Sequence, residues 1–213
     1  ANADEINGDI EANFLPALMQ DYPGLRYRFG GEQAERNDSL QSLFYNFIIA
    51  LFTIYILLAV PFKSYTQPLV VMSAIPFGII GAVWGHIIMD LDLALLSMFG
   101  IVALSGVVVN DSLVLLAYYN QLRDEGRAKS EALLEAGAQR FRPILLTSLT
   151  TFFGLLPMIL EKSVQAQFLI PMAVSLGFGI LFATFIILIG VPVAMKMLEG
   201  MQGFFARLNE GET

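Results

Sequence analysis

From residue 43 onward, long apolar runs alternate with shorter polar interruptions. Five runs, 43–60, 68–89, 94–119, 143–160 and 168–195, reach or approach the length of a membrane-crossing helix of about 20 residues. Each is too long for a buried strand, and none contains the polar turn signals that a membrane barrel needs. The pattern predicts an all-α polytopic membrane protein with five transmembrane helices. Between the third and fourth runs, "RAKSEALLEAGAQR" is too short and too charged to cross. Leu133 and Leu134, flanked by Ala132 and Ala136, predict a short amphipathic helix over about 127–140 at the membrane face.

Residues 1–42 follow a different pattern. "ANFLPALMQDYPG" reads as the end of a short helix stopped by Pro23 and Gly24. "LRYRFGG" then alternates Leu25, Tyr27 and Phe29 against Arg26 and Arg28, as a strand with one buried face would. One helix and one strand cannot enclose a core. The segment is therefore expected to be the tail of a larger domain, and the chain a piece of a longer protein.

Composition agrees with the pattern: of 213 residues, 56% are hydrophobic and 15% charged, and the mean hydropathy is +0.65. A soluble domain carries about a quarter charged residues. Eight of the nineteen carboxylates lie in the first forty residues, so the net charge of -7 describes a wet N-terminal segment. No basic tract marks a nucleic-acid surface. The chain has no cysteine, which excludes a disulfide or thiolate-metal role. It has no phosphate-binding GxxxxGK[ST] loop and no nucleophile-base-acid arrangement, so neither ATP hydrolysis nor another enzymatic activity is indicated.

Basic residues give the orientation. Lys63, Arg123, Arg127, Lys129, Arg140, Arg142, Lys196 and Arg207 fall on one side of a five-span arrangement, and the short loops opposite hold only Lys162. The positive-inside rule puts the C-terminal tail, 199–213, in the cytoplasm and residues 1–42 outside. Lines of small residues predict where helices approach closely: Ala74, Gly78 and Ala82 with Gly81 and Gly85 in the second span, and Ala173, Gly177, Gly179 and Ala183 in the fifth.

The exception to apolar patterning is "GVVVNDSLVLLAYYN", which sets Asn110 and Asp111 inside the third span. Asp111 is too short to snorkel to either interface, and an ionised carboxylate at mid-span costs about 2.5 to 3.5 kcal/mol on insertion scales. The neutral acid avoids most of that cost, which makes the position suited to binding a proton. A packing role, tied to Asn110, Ser112 or a hydroxyl of the fourth span, is one alternative; an indirect electrostatic role, in a site whose principal carboxylates lie outside this chain, is the other. In "QRFRPILLTSLTTFFG", Arg140, Thr147, Thr151 and Gly154 share a helical face, with Pro143 expected in the first turn. Arg140 would neutralise a nearby carboxylate or anchor the interface; Thr147 would join the relay or bond only its own helix. His86 stands alone as a nitrogen ligand, so no metal site and no cofactor are expected.

Three stretches, "PFKSYTQPLVVMSAIPFGIIGA", "GIVALSGVVVNDSLVLLAYYN" and "RFRPILLTSLTTFFGLLPM", resemble, in order and spacing, the C-terminal membrane half of resistance-nodulation-division transporters of the hydrophobe/amphiphile efflux branch. The resemblance implies transmembrane helices eight to twelve of a twelve-helix protomer, preceded by the tail of an α+β periplasmic porter domain. It further implies a proton-driven antiporter of hydrophobic or amphiphilic compounds in the bacterial inner membrane, with the proton as coupling ion. The implied partners are the N-terminal part of the same transporter, two further copies in a homotrimer, a periplasmic adaptor, an outer-membrane channel and membrane lipids, with no nucleic acid. In the family's drug pumps a lysine of the tenth helix pairs with two aspartates of the fourth, and the eleventh supplies an arginine and a threonine. Arg140 and Thr147 match the latter two. Asn110 stands at the lysine's position with Asp111 after it, so the coupling set implied here is Asp111, Asn110, Arg140 and Thr147. A proton-driven lipid or protein translocation relative, or a non-transport membrane assembly subunit, are the competing readings.

Overall fold

The computed structural model describes residues 6, 8–22 and 32–210. The chain divides into two units, 1–42 and 43–213. In the first, a π-helical turn, Ile10–Phe14, runs into α1 (Leu15–Asp21). The α1 helix closes with the Tyr22 N–H on the Leu18 carbonyl, 3.1 Å away. The strand expected over Leu25–Phe29 lies outside the described residues, and among those described there is no strand.

The rest is helical: α2 (Glu32–Phe62), α3 (Gln67–Met72), α4 (Ile75–Met89), α5 (Leu95–Asp124), α6 (Lys129–Ile159) and α7 (Ile170–Glu210), with a short 3-10 turn before α7. Five stretches are long and apolar enough to cross a membrane: Asp38–Phe62, Gln67–Met89 (α3 and α4 together), Leu95–Asp124, Lys129–Ile159 and Ile170–Leu198. This is an all-α polytopic membrane domain. Helices dominate because backbone groups in lipid must be satisfied within their own segment.

The last helix, α7, organises the second unit by packing against α4, α5 and α6. Glycines set how near the helices come. A Cβ on Gly85 would lie 2.5 Å from the Phe178 Cβ, and one on Gly100 would lie 2.6 Å from the Met172 carbonyl oxygen. Gly81 likewise faces Phe182, and Gly179 faces Leu104. Among their glycines, the small-residue lines of the second and fifth spans meet only at Gly78, which faces Gly179 and Ala183, whereas Gly81 and Gly85 receive phenylalanines and Gly177 faces Phe152 of α6; contact rather than hydrophobicity supplies the attraction.

Two turns are fixed by backbone chemistry. After α5, Gly126 takes φ +89° while the Arg127 N–H reaches the Leu122 carbonyl at 3.1 Å, a Schellman closure that a side chain at Gly126 would strain. After α4, Asp90 adopts the left-handed region, and the Leu91 N–H bonds the His86 carbonyl at 3.0 Å.

The amphipathic segment over 127–140 is not a separate helix. It forms the first turns of α6, so Pro143 lies in the helix interior instead of the first turn. Buried residues lie on both sides of the proline, Ala132, Leu133 and Ala136 before it and Ile144 and Ser148 after it, so both stretches of the helix are packed.

Candidate functional site

The third span, α5, turns one face into the bundle through Val108, Ser112, Leu115 and Leu116, and Asp111 lies on that face with 5% of its surface exposed. Asn110, one residue earlier and about 100° around the helix, is exposed. The two polar neighbours thus look in different directions.

Among the described residues no hydrogen bond or ion pair reaches the Asp111 carboxylate. The hydroxyls expected to tie it down are turned elsewhere. Ser112 donates to the Val108 carbonyl at 2.8 Å, and Thr147 to the Pro143 carbonyl at 3.0 Å. Buried Ser148 donates to the Ile144 carbonyl at 2.9 Å and accepts from the Thr184 hydroxyl of α7 at 2.6 Å. An unpaired, buried carboxylate is a costly arrangement unless it is neutral or is met by groups beyond these residues.

Arg140 is held by an aromatic ring. Its guanidinium carbon sits 4.6 Å from the centroid of the Tyr118 ring of α5, and its Nε is buried without a hydrogen-bond partner. Tyr118 follows Asp111 by seven residues, two turns or about 10 Å of helix rise. Among the described residues the cation makes no ion pair with the acid. Thr147 is exposed on α6, as is Gly154, while Thr151 is half-buried and donates to the Thr147 carbonyl at 2.8 Å. Of the four candidate coupling residues, none touches another through a hydrogen bond. Asp111 faces the bundle, Asn110 and Thr147 face outward, and Arg140 stacks between α5 and α6.

Sequence reasoning missed several polar contacts, three of which bear on the candidate residues. The Tyr118 ring under Arg140 is one; the Ser148–Thr184 link between α6 and α7 is the second. The third involves His86, which is 2% exposed. Its Nδ1 lies 2.9 Å from the Ala82 carbonyl, which only accepts, so Nδ1 carries the proton; Nε2 then accepts from the Ser97 hydroxyl at 2.9 Å. Ser97 in turn accepts the Ala94 N–H at 3.0 Å, completing the first turn of α5. The lone histidine ties α4 to the start of α5. No group of three or more metal-ligating side chains occurs among the described residues.

Residues 1–199 match the family model described as the AcrB/AcrD/AcrF family. The chain is similar to the multidrug resistance protein MdtC of Proteus mirabilis, 27% identical over 179 residues, which cover 84% of this chain and 17% of that protein. MdtC of Yersinia enterocolitica is 26% identical over 184 residues, covering 86% and 18%. The chain thus spans under a fifth of the length of these relatives. Two crystal forms of a heavy metal efflux pump superpose with TM-scores of 0.73 and 0.72 at 24% and 25% identity, over 87% of this chain and 19% of theirs.

Proposed function

Since this chain belongs to the AcrB/AcrD/AcrF family, we propose that it is one five-helix part of a resistance-nodulation-division exporter that moves hydrophobic or amphiphilic compounds against an inward flow of protons. The five spans correspond to helices eight to twelve of such a transporter, and residues 1–42 to the tail of its periplasmic porter domain. The N-terminal segment is periplasmic and the tail after residue 198 cytoplasmic. The working assembly is a trimer joined to an adaptor and an outer-membrane channel.

One observation carries the mechanistic part: Asp111 is buried at mid-span with no ionic or hydrogen-bond partner among the described residues. A carboxylate there is inexpensive when it holds a proton and costly when it does not, so its charge state is coupled to whatever enters its surroundings. Arg140, fixed on Tyr118, supplies a positive field that favours release of that proton. Asn110 and Thr147 lie on outward faces, where Asn110 donates or accepts hydrogen bonds across to the helices of the other half and Thr147, its O–H given to the Pro143 carbonyl, accepts one. Asn110 carries no charge where the drug pumps hold a lysine, so Asp111 takes part in a rearranged relay.

The test uses the longer transporter that contains this chain, reconstituted in vesicles. An imposed pH gradient should drive movement of an amphiphilic dye, and an uncoupler should abolish it. Dye movement indifferent to the gradient would contradict proton antiport, and none at all while the protein is folded and assembled would favour a non-transport subunit.

A further inference from the structure

A second polar site lies away from Asp111, at the end of the bundle that carries the α5–α6 connection. Here a cavity of about 220 Å³ opens between the start of α3, the end of α5, the start of α6 and α7. Its polar wall is made by Ser64, Gln67, Asn120, Arg123 and Lys129, and its apolar wall by Met195 and Leu198.

The wall is rich in donors. Gln67 and Asn120 exchange both amide bonds, Gln67 Nε2 to Asn120 Oδ1 at 3.0 Å and Asn120 Nδ2 to Gln67 Oε1 at 2.8 Å. Each amide therefore keeps one N–H unspent by the exchange, on a side chain already locked in place. Arg123 and Lys129 form no ion pair among the described residues, although Asp124, Glu125 and Glu131 are close in sequence; one Arg123 Nη donates to the Arg127 carbonyl, which is neutral and leaves the guanidinium charge unpaired by a carboxylate. Glu131 is taken by Arg127 at 3.1 Å, and Glu125 accepts from Gln121 at 3.1 Å. No carboxylate lines the cavity. Two cations and fixed N–H groups, with no acid to neutralise them, select an anion. The volume falls below the roughly 300 to 1,000 Å³ of pockets for drug-sized ligands, so it suits a headgroup.

We infer that this cavity binds a phosphate group, that of an anionic phospholipid of the adjoining leaflet. Arg123 and Lys129 pair with the phosphate oxygens, the Gln67 and Asn120 amides donate to them, and Met195 and Leu198 meet the start of the acyl chains. Location at the end of membrane-spanning helices favours a lipid over a free ion, and basic pockets between such helices are suited to acidic headgroups. This assignment goes beyond transport and needs only that the five helices cross a bilayer.

The experiment measures binding of a fluorescent phosphatidylglycerol to the purified, delipidated transporter carrying this chain. Arg123→Gln with Lys129→Gln should weaken binding about thirtyfold, at about a factor of five per interfacial cation. Arg127→Gln with Lys196→Gln removes the same charge from the same end of the bundle, at exposed positions outside the cavity lining, and should change binding by less than about twofold. Lys129→Gln alone, at an exposed position that cannot unfold the bundle, should weaken it about fivefold. Equal weakening by the two double variants would reduce the effect to general surface attraction and overturn the site, as would unchanged binding in Lys129→Gln. Displacement of the lipid by millimolar inorganic phosphate would overturn the lipid assignment in favour of the free ion; failure of phosphate to compete supports it.

Discussion

Asp111 and Asn110 are adjacent in the chain and opposite in situation, one buried and one exposed, and the difference follows from the 100° step of the helix. The sequence marks Asp111 as anomalous because an acid inside an apolar run is expensive. It does not reveal that Ser112, Thr147 and Ser148 all spend their hydroxyls on carbonyls of their own helices, since that depends on rotamers. The Tyr118 ring beneath Arg140 was equally illegible, because it is a contact between helices with no periodic signature. A smaller prediction belongs at this scale. Glu161, in the turn after α6, accepts the N–H groups of Ser163 at 3.0 Å and Lys162 at 2.9 Å, and these bonds hold its carboxyl below the ordinary value of 4.5. A carboxyl lowered in the folded turn favours that turn above the ordinary value and loses its hold only as pH falls through the lowered one. Amide hydrogen exchange should therefore show protection of Lys162 and Ser163 persisting below pH 4.5; protection already gone at that pH would contradict the geometry.

Among the elements, the five long helices were legible from hydropathy, because lipid leaves the backbone no other way to satisfy itself. Their pairing was legible in part: Gly78 of α4 does face Gly179 and Ala183 of α7, but Gly177 faces α6. The continuity of α6 through Pro143 was not, since a proline pattern near a polar-to-apolar change reads equally as a helix start. The bond from His86 to Ser97 was hidden for another reason, being a pair from two spans across the Asp90 turn. Close packing makes a prediction that separates contact from helix propensity. Gly100→Ala meets the Met172 carbonyl and the Ser175 Cβ at 2.6 and 2.8 Å, and should destabilise the protein by about 1 to 3 kcal/mol in denaturant unfolding. Gly137→Ala, with nothing within 4 Å, should be neutral or stabilising by up to about 1 kcal/mol. Equal effects at the two sites would show that α5 and α7 are not in close contact.

For the whole molecule, coverage of the helices is uneven. About half of the apolar stretch is buried in the Gln67–Met89, Leu95–Asp124 and Ile170–Leu198 spans, against 6% in the Asp38–Phe62 span and 17% in α6. Large side chains such as Phe44, Phe52, Phe141 and Phe153 lie open, available to lipid or to further helices. The proposed orientation is checked by single cysteines at Ser130 and Ser163 in the full transporter, which should label from opposite faces with Ser130 cytoplasmic. Labelling from one side would break the five-span topology. The central claim is that Asp111 couples proton binding to transport, and it is tested most directly by substrate efflux against external pH in proteoliposomes holding matched amounts of parent and Asp111→Asn. The substitution keeps the volume and removes the titration, so assembly and substrate binding should persist while proton-driven turnover falls by tenfold or more, about 1.4 kcal/mol of lost coupling. Parental turnover with an unchanged pH profile would contradict the account and leave Asp111 a packing residue.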